Sequence, residues 1–524
     1  MTKAQIVAAD IAALLRARNP LLWIVTREEA RAERYLFEAC ASAGYVARTW
    51  NVASGILESD GAGFDGGRNL YTDPGEALAF IESFQSRGQR CAWIMRDLHD
   101  WLDGPSAALT RRALRNVVRT LPTLPRDKAQ AIIVLSPSSN LPAEIAAHAT
   151  VIDWPLPDRP EIASILDVYL AQYGETVAPN GTRDAAIDAA VGLSASEAEA
   201  CYAKSLVQTK RIDPTTVAKE KKRVIARERV LEWFDPLPGG LDSVGGLEGL
   251  KSWLRTRAVA YGRQAREYGL PAPKGVFLVG VPGCGKSLTA KAIATAWGVP
   301  LLRLDLNALK SKFVGESEGN LRRALQTIEA IGRCVVWLDE IEKALSGATQ
   351  GAADGGVSSD ALGTVLNWMQ ERSGEAFVVA TANDVEALPP ELLRKGRFDE
   401  MFFVDCPNAM ERESVLRAAI SSNGRAAILD MIHGPTVAEA TDGFTGAEIA
   451  ALVPDALYSA FADGAREITT GDLVEAARNV VPLTKTASEK ITRLRAWAAS
   501  RCRPATDKPK ALASVAPSLR AVEI

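Results

Sequence analysis

Short apolar runs alternate with stretches of helical periodicity over most of the chain. In the first half the runs are Leu21-Leu22-Trp23-Ile24-Val25-Thr26, Cys91-Ala92-Trp93-Ile94-Met95-Arg96-Asp97 and Ala131-Ile132-Ile133-Val134-Leu135-Ser136. In the second they are Gly275-Val276-Phe277-Leu278-Val279, Cys334-Val335-Val336-Trp337-Leu338 and Ala376-Phe377-Val378-Val379-Ala380. Runs this short suit buried strands, and their alternation with helices predicts α/β layers around a parallel sheet. A helical region follows from about Pro160 to Leu206, and the charge-dense stretch Lys219 to Arg229 reads as a solvated helix face or linker. Pro236 to Gly246, rich in Gly, Pro and Asp, marks a boundary. The second α/β block runs from Gly275 to near Pro407, and helical periodicity resumes from Ala409 to about Val481. Arg501 to Ile524, rich in Pro, Lys, Ala and Ser, reads as a mobile tail. The expected division is 1–160, 161–235, 236–408, 409–485 and 486–524.

A length of 524 residues requires more than one core. The 47% hydrophobic and 24% charged content is that of a soluble globular protein, and a net charge of -3 gives no bulk attraction to nucleic acid or anionic membrane. No apolar run reaches the roughly 18 residues of a membrane span. Met1 to Asn19 reads as an amphipathic helix without a signal-peptide core. The seven cysteines (40, 91, 201, 284, 334, 406 and 502) contain no CxxC pair, which points to a reducing, cytoplasmic setting without a disulfide frame or zinc site. The three histidines form no HExxH arrangement, so zinc peptidase chemistry is unsupported.

Chemistry concentrates in the second block. Gly275–Val279 leads into Gly280-Val281-Pro282-Gly283-Cys284-Gly285-Lys286-Ser287, which fits GxxxxGK[ST], and a helical segment begins at Leu288. In that strand–loop–helix context glycines let backbone N–H groups turn inward around phosphate oxygens at a helix N-terminus. Lys286 is expected to reach the β and γ phosphates and Ser287 to ligate Mg2+. Pro282, Gly283, Cys284, Gly285, Lys286, Ser287 and Leu288 are thus the expected nucleotide-binding positions. A thiol at a helix N-terminus, as Cys284 is, can become redox-sensitive, although a small residue at a tolerant position reads the same way.

The run at 334–338 ends in Asp339-Glu340, two acids at the strand end where open sheets bind ligands. Asp339 suits the Mg2+ shell and Glu340 suits activation of the attacking water. A third run ends in Thr381-Ala382-Asn383, where a neutral amide could orient that water.

Together with Leu392-Leu393-Arg394-Lys395-Gly396-Arg397-Phe398-Asp399, these motifs resemble the AAA branch of the AAA+ ATPases, strongly over about residues 240–480. The resemblance implies a P-loop α/β sheet sandwiched by helices with a C-terminal helical lid, and ATP and Mg2+ as cofactors. Arg394 resembles the primary arginine finger and Arg397 the second, each projecting into a neighbour's nucleotide. Gly245 and Gly246 resemble the segment lining the adenine, and Gly446 and Ala447 the start of a lid helix shaping the base and ribose site. Lys312, Phe313 and Val314 resemble a pore loop that grips an extended polypeptide. The layout also resembles a narrower group, the cyanobacterial and plastid proteins of hypothetical chloroplast reading frame forty-six.

In the first half, the run at 21–26 leads into Thr26-Arg27-Glu28-Glu29-Ala30-Arg31, with no glycines and no Lys-Ser pair. It reads as a degenerate AAA-like α/β domain that cannot cradle phosphate, with an unrelated α/β domain as the alternative, followed by a lid-like helical region. The implied protein is an ATP-hydrolysing homo-oligomeric ring, expected as a hexamer, that remodels a protein client. Its rivals are a self-sufficient P-loop kinase or GTPase, a nucleic-acid-dependent motor or loader, and an ATP-gated scaffold.

Overall fold

The computed structural model describes residues 1–506 except 68–69, 85–87, 105–106, 174–181, 227–229, 236, 310–313, 346–354, 373, 386–387, 389–391, 393 and 395. The chain divides into two compact units, Met1–Val224 and Ile225–Ile524.

The first unit holds β1 (Leu21–Val25), β2 (Tyr45–Asn51), β3 (Gly55–Leu57), β4 (Arg90–Arg96), β5 (Gln130–Ser136) and β6 (Thr150–Asp153) in the order β3-β2-β4-β5-β1-β6. All neighbours are parallel except β2 and β3. Successive strand residues face opposite sides. Leu22, Ile24, Ile94 and Ile133 pack with the helices Lys3–Arg16 and Glu29–Ala43, whereas Leu21, Trp23, Trp93 and Ile132 pack with Pro74–Ser83 and Ala108–Thr120. A sheet covered on both faces needs apolar residues at every strand position, which is why these strands read as continuous runs. The helices Arg159–Tyr173, Thr182–Ala190, Ala195–Thr209 and Pro214–Ile225 surround a separate core with Ile162, Leu166, Ile187, Tyr202 and Val217. Within the last helix Lys221 is buried, its ammonium donating to the Val191 carbonyl, so the expected solvated face does not extend to it.

In the second unit β7 (Leu231–Phe234), β8 (Gly275–Gly280), β9 (Leu301–Leu304), β10 (Val335–Leu338), β11 (Phe377–Ala382), β12 (Glu400–Val404) and β13 (Arg503–Pro504) follow the order β13-β12-β8-β11-β10-β9-β7. Counted within its own unit, each parallel core reads 5-1-4-3-2, as β6-β1-β5-β4-β2 in the first and β12-β8-β11-β10-β9 in the second. The degenerate half thus keeps the sheet topology of the intact one.

Both edges of the second sheet differ from the sequence expectation. The sheet begins at β7, antiparallel to β9, within the stretch expected to be linker. At the other edge β13 pairs with β12, and Ala505, fully buried, donates to Phe403 O and accepts from Leu250 N–H, both at 2.9 Å. The tail is therefore pinned as far as Thr506, whose Oγ1 donates to Glu411. Pairing at a sheet edge uses backbone groups, so side-chain patterning does not reveal it; Pro504 is tolerated because edge positions leave one side of the strand unpaired. The helices Ala409–Ser422, Gly434–Ala440, Gly446–Ala462 and Thr470–Arg478 share their own core around Leu416, Ile449, Leu452 and Val453. Helix Ser488–Ala498 returns to the large core through Ile491 and Leu494.

Candidate nucleotide site

β8 is the first parallel strand of its sheet and lies between β11 and β12, so its carboxyl end opens at the point where the strand order reverses. The loop beyond it turns on Gly283 (φ 76°) and Gly285 (φ 91°) into helix Lys286–Trp297. Gly285 caps that helix without a side-chain hydrogen bond, which leaves the first-turn N–H groups available to an anion. Pro282, Gly283 and Leu288 are exposed, Gly285 and Ser287 half-buried, and Cys284 and Lys286 buried. The Lys286 ammonium donates to Gly280 O and Val281 O, each at 2.8 Å. Burial pulls its pKa down to about 8, against the upward pull of Cys284, Glu342, Glu340 and Asp339.

The acids arrive from β10 and the amide from β11. Asp339 Oδ1 accepts from Ser287 Oγ at 3.2 Å and from Thr381 Oγ1 at 2.8 Å. Thr381 Oγ1 in turn accepts the Glu340 N–H at 2.9 Å. Glu340 sits at φ 46°, a left-handed conformation that costs a non-glycine residue about 1–3 kcal/mol. Its Oε1 accepts from Asn383 Nδ2 at 2.9 Å, and its Oε2 pairs with Lys343. Ser287, Asp339, Glu340 and Asn383, expected from separate motifs, therefore form one connected cluster.

The lid closes against the loop. Ala447 N–H donates to Gly283 O at 2.8 Å, and a Cβ on Gly446 would lie 3.3 Å from that same oxygen. Gly245 and Gly246 run along the helix Ala409–Ser422: a Cβ on Gly245 would come within 2.4 Å of Val415 N, and one on Gly246 within 2.8 Å of Glu411. Gly245 thus requires glycine for close backbone approach, and Gly246 for its left-handed backbone (φ 72°) against the Glu411 side chain.

Arg394 is exposed and Arg397 half-buried. Asp399, two residues beyond Arg397, accepts from Lys274 N and Gly275 N at 2.7 and 2.9 Å, and Lys274 Nζ donates to Gly396 O at 2.8 Å. The segment is therefore anchored at the amino end of β8, the whole strand away from the phosphate loop. Lys312 and Phe313 lie outside the described residues. Val314 opens the helix Val314–Ile331.

Three contributors were given no role from sequence. Thr381 joins Asp339 to Glu340. Glu342 is buried and accepts the Asn383 N–H at 2.9 Å through Oε1, while its buried Oε2 has no hydrogen-bond partner; burial raises its pKa. Glu411 accepts from Leu247 N at 2.9 Å and Thr506 Oγ1 at 2.8 Å, and closes a capping box with Asn408. Thr381 was visible as part of the polar strand end Thr381-Ala382-Asn383, and Glu411 through the Asn408-x-x-Glu411 spacing of a helix start.

At the equivalent turn of the first unit, after β1, a carboxylate stands where the second unit has its glycine loop. Glu28 Oε1 accepts the Ala195 N–H at 2.6 Å, in the first turn of helix Ala195–Thr209, and Oε2 pairs with Arg31 at 2.6 Å. Arg31 also holds Glu161 at 2.9 Å. Burial raises the Glu28 pKa, with Arg31 opposing.

A glycine loop between strand and helix, acids at a neighbouring strand end and a helical lid on the loop define a P-loop nucleotide-binding module of the AAA type. Residues 276–406 match the ATPase family associated with various cellular activities (AAA), and 435–475 match the AAA+ lid domain. Residues 7–154 match the SpoVK-like AAA ATPase N-terminal domain, and 160–228 its second domain. The uncharacterized AAA domain-containing protein ycf46 of Guillardia theta is 35% identical over 94% of this chain and 94% of its own. That of Pyropia yezoensis is 35% identical over 93% and 97%. An ATP-dependent zinc metalloprotease FtsH of Thermus thermophilus is 34% identical over 41% of this chain and 34% of its own. The chain belongs to the AAA ATPases, in the group of the ycf46 proteins. It is an ATP-hydrolysing enzyme by that membership, and among the described residues no helix is long and apolar enough to cross a membrane.

Proposed function

We propose that the protein is an ATP-driven homo-oligomeric ring, a hexamer, in which each site is completed by a neighbour and hydrolysis remodels a protein client. The observation that carries this reading is the separation along β8. The phosphate loop leaves its carboxyl end, whereas Gly396 and Asp399 are bound at its amino end. Six residues of strand span about 20 Å at roughly 3.3 Å each. Arg397 is thus positioned away from the nucleotide of its own subunit, and a cation completing the transition state comes from the next one.

The residues present fit ATP and Mg2+. Mg2+ takes few protein oxygens and fills its octahedron from phosphates and water; Ser287 Oγ and Asp339 Oδ1, 3.2 Å apart, supply such a pair. When bound, the ion supplies charge neutralisation between the terminal phosphates. Lys286 exchanges its two carbonyl partners for phosphate oxygens. Leu288, Gly245, Gly246, Gly446 and Ala447 border the base and ribose in this reading. Glu340, its carboxylate oriented by Asn383, accepts a proton from the attacking water. Arg394 and Arg397 of an adjoining subunit neutralise the developing charge. Lys312, Phe313 and Val314 form the pore loop in this reading.

The test is Glu340→Gln in full-length protein with ATP and Mg2+. Hydrolysis should fall by about 10²–10⁴, the range for loss of a general base, while nucleotide binding persists. The variant should sediment as a ring and retain a polypeptide client. A monomer hydrolysing at full rate would overturn the ring, and stimulation by DNA that weakens steeply with salt would point to a nucleic-acid motor.

A further inference from the structure

Several arginines of the first unit are paired. Arg96 meets Glu33, Arg159 meets Asp184 and Asp188, and Arg183 meets Asp167. The helix Ala108–Thr120 is different. It holds four arginines and no acid, and its Leu114, Val117 and Val118 enter the core beneath the sheet. At 3.6 residues per turn, Arg111, Arg112, Arg115 and Arg119 fall within about 100° of the circumference, clear of those positions, in a strip about 12 Å long. Arg112 and Arg119 are exposed, Arg111 and Arg115 half-buried. Among the described residues none of the four has a carboxylate partner. Arg111 donates to the Leu102 carbonyl at 3.4 Å, and Arg115 Nε is shielded from solvent without a hydrogen-bond partner. Like charges four residues apart destabilise a helix, and a buried donor without an acceptor adds a desolvation cost. The strip is therefore a cost to the free protein that a ligand with several negative charges relieves.

The surroundings narrow the choice of ligand. Thr120, at the carboxyl end of the strip, donates to Glu82 at 3.4 Å, and Asp103 directly follows the residue that Arg111 holds. Acids thus stand at both ends. A nucleic-acid strand carries a phosphate about every 3.4 Å and would run past the arginines onto those carboxylates. A membrane-surface helix inserts its apolar face, and here that face fills the core. Two large apolar side chains flank the strip: Leu109, 83% exposed and three residues before Arg112, and Trp101, 42% exposed and next to Leu102. Tryptophan and arginine are the residues that dominate protein–protein contacts. Arginines at i and i+4 rise by about 6 Å, close to the roughly 6.6 Å between alternate side chains of an extended chain.

We propose that this face is a docking surface for an acidic polypeptide segment, an extended stretch with carboxylates at alternate positions and an apolar residue beside them. The guanidinium forks hold the carboxylates, and Leu109 and Trp101 cover the apolar residue. In a remodelling ATPase such a surface recruits the polypeptide on which hydrolysis then acts. The docking itself depends on neither the ring nor the ATP site.

Full-length protein is titrated at low salt with a fluorescently labelled peptide of alternating glutamate and serine ending in leucine, followed by anisotropy. The same peptide with glutamine for glutamate, and a mixed-sequence single-stranded oligonucleotide, are titrated beside it. The glutamate peptide should bind at least about tenfold more tightly than the glutamine peptide, and its affinity should fall as salt rises. Arg112→Glu with Arg119→Glu should weaken it at least about tenfold while ATP hydrolysis and the unfolding midpoint stay at the parent values. Lys219→Glu with Arg223→Glu makes the same change of net charge on exposed residues of the same unit and should leave binding unchanged. Arg112→Gln with Arg119→Gln repeats the test should the reversal fold poorly. A glutamate peptide that fails to bind overturns the proposal. An equal loss in the Lys219 and Arg223 protein does so too, because bulk charge would then explain the binding. Tighter binding of the oligonucleotide, abolished by the Arg112 and Arg119 reversal, also overturns it and makes the face a nucleic-acid surface.

Discussion

Asn383 Nδ2 donates to Glu340 Oε1 at 2.9 Å, while the Asn383 main chain is held by Glu342 Oε1 at the same distance. One residue of β11's carboxyl end is thus gripped from both sides by the acids following β10. A neutral donor here orients the Glu340 carboxylate and, in the proposed hydrolysis, adds no charge that would compete for the proton.

Asn383→Ala should therefore lower hydrolysis by about tenfold or more while leaving nucleotide affinity unchanged, the pattern of an interaction realised only in the transition state. Steady-state hydrolysis with a separate equilibrium binding measurement decides it. Equal losses in binding and rate would mean that Asn383 shapes the nucleotide pocket and does not orient Glu340.

Lys286 gives the site a pH dependence. Its free-protein pKa is lowered to about 8, below the ordinary 10.5, because burial disfavours the charged form. Triphosphate binding restores the charge and raises that pKa. ATP affinity should then be flat below about 8 and fall above it, with proton uptake on binding. For folding the sign is opposite: the unfolded chain binds more protons between about 8 and 10.5, so this group's contribution to stability rises with pH through that window. Calorimetric titration at pH 8.5 in buffers of different ionisation heat should detect the uptake in the parent protein. A pH-independent affinity across this range would contradict the assignment.

The neighbour-supplied arginine is tested by mixing. Lys286→Ala and Arg394→Ala proteins should each hydrolyse poorly alone, yet recover measurable activity when co-assembled, since some interfaces then pair an intact loop with an intact arginine. An arginine finger contributes on the order of 10³–10⁵ in rate, so recovery should be easily resolved. Mixtures that assemble but stay inactive would remove the shared-site assignment.

Arg31 in the first unit lies buried between Glu28 and Glu161. Removing one member of a buried ion cluster strands the others, at about 3–5 kcal/mol. Arg31→Ala should therefore lower the unfolding midpoint and expose sites within residues 1–224 to protease, whereas Glu28→Gln, which keeps an acceptor for the Ala195 N–H, should do so less. An unchanged melt would show that the cluster contributes little.

The sequence alone determined what depends on local chemistry. The apolar runs at 21–26, 91–97 and 131–136 foretold β1, β4 and β5, because a strand buried on both faces must be apolar at every position. The motif at 280–287 was legible because its glycines and Lys-Ser pair stand at fixed offsets, and the turn at 26–31 differs from it because it has neither. Tertiary structure decided what depends on groups distant in the chain. β7 and β13 join the sheet through backbone edges that leave little trace in side chains. Glu342 reads as one more acid on a helix start until burial leaves one of its oxygens without a hydrogen bond. Glu28 replaces the glycine loop through a helix terminus over 160 residues away in sequence.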